Sequence, residues 1–169
     1  QLPFLRSLFW GPLTSFGLWI AVLTFAIDQA HKWWMLLIYR IEDKGRVPLL
    51  PFLDIVYVVN PGVSFGQLAM DGFWGQLALT AFAVLASLAL AVWRARPDTN
   101  KIMALSLGLI IGGALGNALD RMLIGGVADF FSLHAYGFYW YIFNIADIAI
   151  VAGVIGLLYD SLVVSRRAA

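Results

Sequence analysis

The residues most in need of a chemical explanation are Asp28, Asn117, Asp120, Arg121, Asp129, Asn144 and Asp147, each at the end of a long apolar run or beside one. An ionisable group within hydrocarbon costs about 2.5–3.5 kcal/mol on insertion scales, so one retained there is a candidate for function. Spacing groups them: Asn117, Asp120 and Arg121 stand at i, i+3 and i+4 of one helix face, and Asn144 and Asp147 repeat the i, i+3 step. Asp129 and Asp147 differ from the rest, since Phe, Ile and Ala surround them and no basic residue is an obvious neighbour. If the fold brings the two together, repulsion and desolvation raise one pKa and the pair shares a proton. Such a pair suits amide hydrolysis. The charged member takes a proton from the attacking water, while the protonated one hydrogen-bonds the carbonyl oxygen and then assists the leaving amine. The residues alone leave alternatives open: helix caps or water-facing acids for the aspartates, and a snorkelling ion pair for Asp120 with Arg121.

These side chains need a frame, and composition says which kind. Of 169 residues 62% are hydrophobic and only 12% charged, with a mean hydropathy of +0.84, so lipid is the expected solvent. A hydrocarbon core about 30 Å thick needs roughly 20 apolar residues per crossing. Runs at 11–30, 73–93, 102–123 and 141–164 meet that length. The expected fold is an all-α membrane protein of four transmembrane helices, one domain over 1–169. The first run, preceded by Arg6, also suits a secretory signal, but no small-x-small cleavage site follows and Asp28, Gln29 and Lys32 come instead, so a retained helix is expected.

Orientation follows from placement of basic residues. With both termini cytoplasmic, Arg6, Arg94, Arg96, Lys101, Arg166 and Arg167 fall inside, tight against helix ends, and Lys32, Arg40, Lys44, Arg46 and Arg121 outside. The polar cluster then lies toward the outer face, while Asp98 and Asp160 are ordinary wet carboxylates on the cytoplasmic side. The loop 31–72 contains Leu53–Val59, a β-branched and aromatic run ended by Asn60-Pro61-Gly62. It predicts a small extracytoplasmic β-sheet between helices 1 and 2. The insertion at 124–140, with Phe130, Phe131, Tyr136, Phe138, Tyr139, Trp140 and Tyr141 in it or beside it, reads as an interfacial aromatic belt. Gly112, Gly113 and Gly116 read as a helix-packing surface.

Several classes drop out. A net charge of +1 from scattered residues gives no basic stripe for nucleic acid. Absence of cysteine removes thiolate nucleophiles and Cys-type metal sites, and His31 and His134, expected at the wet interface, are too few for a zinc site. No metal or cofactor is expected. Gly62–Gly66 fits G-x-S-x-G, but the strand-to-helix setting and the histidine base of a serine hydrolase are wanting. A proton-coupled transporter or channel is the main alternative, although its polar groups should cross the membrane rather than stop on one side.

Five segments in order carry a resemblance: Asp28-Gln29 with Lys32; Asn60 through Gly66; Gly112 through Arg121; Val127 through Phe130; and Phe143 through Asp147. Across nearly its whole length the chain resembles the lipoprotein signal peptidases, or signal peptidase II. It departs from the family pattern at Pro61 and Val63-Ser64 and at Ala128. The resemblance implies an aspartic endopeptidase of the bacterial inner membrane, removing the signal peptide from prolipoproteins whose cysteine is diacylglyceryl-modified; a monomer is expected. Asp129 and Asp147 match the catalytic pair. Asn60, Asn117, Arg121 and Asn144 match residues lining or ordering the substrate site, and Asp28, Lys32 and Asp120 match structural support. Lipid-modified prolipoproteins and membrane lipid are the implied partners.

Overall fold

The computed structural model describes residues 10–62, 72–94 and 99–164. The expectations placed on Arg6, Val63–Gly66, Arg96, Asp98, Arg166 and Arg167 lie outside the described residues. The described elements run α1 (Thr14–Leu37), a 3-10 turn (Ile41–Asp43), β1 (Val47–Leu50), β2 (Leu53–Asn60), α2 (Gly72–Arg94), α3 (Lys101–Ile124), β3 (Val127–Ala135), β4 (Phe138–Phe143) and α4 (Ile145–Tyr159), which continues as a π turn over Asp160–Val164. Among the described residues, three stretches are long and apolar enough to cross a membrane: Gly72–Trp93, Lys101–Ile124 and Ile145–Val163. α1 matches them in length at 24 residues.

α1 buries Thr14, Gly17, Ala21, Thr24, Asp28, Lys32 and Met35 among others, in steps of three or four that keep one seam against a neighbour. The neighbour is α3, whose glycines admit it. A Cβ on Gly112 would lie 2.5 Å from the Ala21 carbonyl oxygen, and one on Gly116 2.5 Å from Asp28 Oδ2. Gly113 serves α4 in the same way, its Cβ position lying 2.6 Å from the Ala146 carbonyl. Small residues at helix contacts let backbones approach where lipid supplies little hydrophobic drive, so the glycine surface packs as expected and draws α1 and α4 onto α3.

The sheet corrects the expected fold. It is a four-stranded antiparallel sheet in the order β1-β2-β3-β4, with two strands from each insertion, so the all-α description and a sheet confined to the first loop are too narrow. The aromatic stretch Phe138–Phe143, read as an interfacial belt and partly as the start of a helix, is β4. Aromatic residues favour both a membrane interface and a pleated strand. The turn Tyr136-Gly137 decides between them: both residues have positive φ, 51° and 77°, the tight hairpin geometry that matches strand twist. Met35, Ile41, Ala128 and Phe130 form a buried cluster that seats the sheet on the end of α1. Arg46 donates to Asp54 at 2.8 Å and to Ser132 at 3.2 Å, tying the segment before β1 to β2 and β3.

The histidines are not simply wet. His31 stacks on Phe131 with ring centroids 5.3 Å apart, and His134 Nε2 lies 3.0 Å from Asp54. Asp160, expected in water, is buried and accepts from the Asn100 side chain.

Candidate active site

Two local features of the chain place the central aspartates. Asn144 caps α4: its Oδ1 accepts from the Asp147 backbone N–H at 3.0 Å, while Asp147 Oδ2 accepts from the Asn144 N–H at 3.1 Å. This reciprocal capping box satisfies two helix-end donors and sets Asp147 at a helix N-terminus, where a negative group is favoured. The cap reading of Asp147 and the site reading therefore describe the same carboxylate, one oxygen for each. Asp129 comes from β3, paired opposite Val58 of β2, and the sheet presents it to the end of α4.

Three asparagines join the two carboxyls. Asn144 Nδ2 donates to Asp129 Oδ1 at 2.8 Å, and Asn117 Nδ2 donates to Asp147 Oδ1 at 3.2 Å. Asn60 Nδ2 reaches Asp129 Oδ2 at 3.4 Å. Each amide is oriented by what holds its oxygen. Asn60 Oδ1 accepts from the Gly62 N–H at 2.9 Å in an Asx turn, Asn117 Oδ1 accepts from Lys32 at 3.1 Å and from Asn144 at 3.1 Å, and Asn144 Oδ1 is engaged in the cap. With the oxygens occupied, the NH₂ groups point at the aspartates.

Behind this layer lies a charged one. Lys32 is 2% exposed and pairs with Asp28 at 2.8 Å and Asp120 at 2.7 Å. Asp28 also accepts from the Ala146 N–H at 2.9 Å, and Asp120 from the Ala128 N–H at 3.1 Å. Of the alternatives left open for Asp120 and Arg121, the snorkelling pair is not formed, because successive helix residues point about 100° apart, and Asp120 pairs with Lys32. Arg121 instead donates to the Gly62 carbonyl at 3.2 Å, and its Nε has no hydrogen-bond partner among the described residues.

The front of the site is a cleft of ≈ 300 Å³ between α2, α3, α4 and the sheet, lined by Asn60, Asn117, Arg121, Asp129 and Asp147 on its polar side and by Leu79, Phe82 and Ile150 among its apolar residues. Burial first, and then the charge of Asp147, push the Asp129 carboxyl up to about 7. All nine residues singled out in the sequence are thus in this region: Asp129, Asp147, Asn60, Asn117 and Arg121 line the cleft, Asn144 bridges the carboxyls, and Asp28, Lys32 and Asp120 stand behind. Two glutamines complete it. Gln29 donates to the Gly116 carbonyl and to Asp120, both at 3.0 Å, and Gln76 donates to the Pro61 carbonyl at 2.7 Å. Neutral amides carry less cost in lipid than charges and gave a weaker signal.

The sequence profile of the family described as Signal peptidase (SPase) II matches residues 20–163. A lipoprotein signal peptidase of Methylocella silvestris is 49% identical over 152 residues, covering 90% of this chain and 88% of its own. One from Rhodopseudomonas palustris is 48% identical over 151 residues, covering 87% and 92%. Among solved structures, a bacterial membrane enzyme determined by the in meso method at 2.3 Å resolution superposes with a TM-score of 0.72 at 31% identity, covering 88% of this chain and 90% of that one. A second, at 1.9 Å resolution, gives 0.74 at 28% identity, covering 92% and 97%.

Proposed function

Because the chain belongs to the signal peptidase II family, we propose that its removal of lipoprotein signal peptides is the work of an aspartic endopeptidase with Asp129 and Asp147 as the catalytic pair. The observation that carries this reading is the pair's setting: two buried carboxyls at one cleft, whose hydrogen bonds from the described residues come from uncharged N–H donors. Asp129, pushed up to about 7, is the member that holds the shared proton near neutral pH. Asp147 acts as the base on a water entering the cleft. As the water attacks, Asp129 donates to the carbonyl oxygen, and the proton passes on to the leaving amine. The Arg121 guanidinium, which lines the cleft and donates to the Gly62 carbonyl, has further N–H groups to offer the substrate backbone. Two carboxyls and a water need no cofactor.

The bacterial relatives and the apolar helices make this a multi-pass protein of the bacterial inner membrane. In our reading α1 is a fourth span. Its inward Asp28, Gln29 and Lys32 lower its apolarity, yet Asp28 and Lys32 pair with each other, Gln29 and Lys32 bond to α3, and Asp28 bonds to the start of α4, rather than face lipid. Four spans place both termini on one side, and Arg94 and Lys101, at the end of the helices away from the sheet, mark that side as cytoplasmic. The site then faces outward. Residues 1–169 act as a single peptidase domain, and because one chain supplies every group named, a monomer suffices.

The cleaved bond lies before a cysteine carrying diacylglycerol, whose acyl chains contribute about 0.8 kcal/mol per buried CH₂ toward holding the substrate at this depth. Purified protein incubated with a lipidated prolipoprotein peptide should cleave it before the modified cysteine and cleave the unlipidated peptide poorly. Equal rates on both would contradict this substrate assignment. The family assignment replaces the transport alternative.

A further inference from the structure

Asp129 and Asn60 line two hollows. One is the cleft between the helices; the other is a groove of ≈ 320 Å³ on the sheet, walled by Val58, Val59, Tyr139, Trp140, Tyr141 and Ile142. We propose that this groove is the subsite for the polypeptide that follows the lipid-bearing cysteine, held extended against the sheet. The proposal rests on the dyad reading, since it takes Asp129 as the point at which the substrate is cut.

A peptide bond cut at Asp129 has a chain on either side, and the two hollows differ as those chains do. The helix-lined cleft has Leu79, Phe82, Ala83, Ala86 and Ile150 along it, which suits the apolar signal segment and the acyl chains. The residues after the cysteine belong to a protein that leaves the bilayer, and their path should run over an element outside the spans. The groove is such an element. Strand pairing places Val58 opposite Asp129 and Tyr141 opposite Leu133, so Asp129, Val58 and Tyr141 share one face by the two-residue period of strands. Tyr and Trp present broad amphipathic surfaces that grip backbone and varied side chains at low entropic cost. A peptidase acting on many lipoproteins needs that tolerance beyond the cysteine.

The test uses two lipidated peptides identical through the modified cysteine, one ending there as an amide and one continuing for several residues. The parent should cleave the longer with the higher kcat/KM, by roughly tenfold, the factor that about 1.4 kcal/mol of added contact gives. Val58→Trp, which fills the groove from a position 38% exposed on the same face as Asp129, and Tyr141→Ala, which removes a wall, should each bring the long-to-short ratio close to one. General damage to the fold would lower both rates and leave the ratio unchanged. An unchanged ratio in both variants, or no preference in the parent, overturns the groove. Cleavage of either peptide by Asp147→Asn would overturn the dyad and the groove with it.

Discussion

Two pairs of buried aspartates lie within one polar layer of this molecule, and their partners separate them. Asp28 and Asp120 share the Lys32 ammonium at 2.8 and 2.7 Å and each accepts a backbone N–H. Asp129 and Asp147 accept from the amides of Asn60, Asn117 and Asn144 and from one backbone N–H. In the first pair a cation offsets the cost of burial, and the carboxylates can stay charged and fixed. In the second no cation among the described residues bonds to either carboxyl, so one proton shared between the two is the less costly state. Similar burial thus suits a brace in one place and, in our proposal, a proton-handling pair in the other. Asn117 connects them, accepting from Lys32 and donating to Asp147.

The comparison breaks most visibly at the dyad. Asp129→Asn and Asp147→Asn should each lower cleavage of a lipidated peptide by at least about 10³-fold, the scale of a lost general acid or base. A rate assay with the variant inserted in membrane checks this. Next comes Lys32→Met, which leaves Asp28 and Asp120 buried without their cation. It should destabilise the protein by about 3–5 kcal/mol, read as a lower melting temperature; an unchanged one would mean that the lysine is no brace. Gly116→Ala attacks the same brace by crowding, since its Cβ would meet Asp28 Oδ2 at 2.5 Å. About 1–3 kcal/mol should be lost. Smaller, and specific to the dyad, is a pH effect. The folded Asp129 binds its proton up to about 7 against an ordinary 3.8, so between those values the folded state holds more protons than the unfolded one. Stability should fall as pH rises across that window, and activity that depends on the shared proton should decline above about 7. Asp129→Asn should flatten the stability profile.

How far the sequence reveals this arrangement depends on cost. Charged residues beside apolar runs are expensive, so Asp28, Asp120, Arg121, Asp129 and Asp147 stand out without a structure, Lys32 enters the site through the family resemblance, and the helical spans follow from hydrophobic length. Gln29 and Gln76 are cheaper to bury and drew no attention as site residues. The partner of Asp120 is open in the sequence, because adjacency allows a pair with Arg121, whereas the helix turns that side chain away and α1 offers Lys32. Half of the sheet was hidden for a different reason: Phe138–Phe143 satisfies an interfacial belt as readily as a strand. Only the positive φ of Tyr136 and Gly137 and the pairing with β3 distinguish them.

The central claim is that the buried aspartates divide into a brace and a catalytic pair, and one side-by-side measurement addresses it directly. Peptide cleavage and melting temperature should be recorded on the same preparations of the parent, Asp129→Asn and Asp120→Asn at pH 7. The account predicts opposite profiles: Asp129→Asn loses cleavage while melting at or above the parental temperature, and Asp120→Asn melts lower while its folded fraction still cleaves. Cleavage near the parental rate in Asp129→Asn, or a lowered melting temperature there with none in Asp120→Asn, would contradict it.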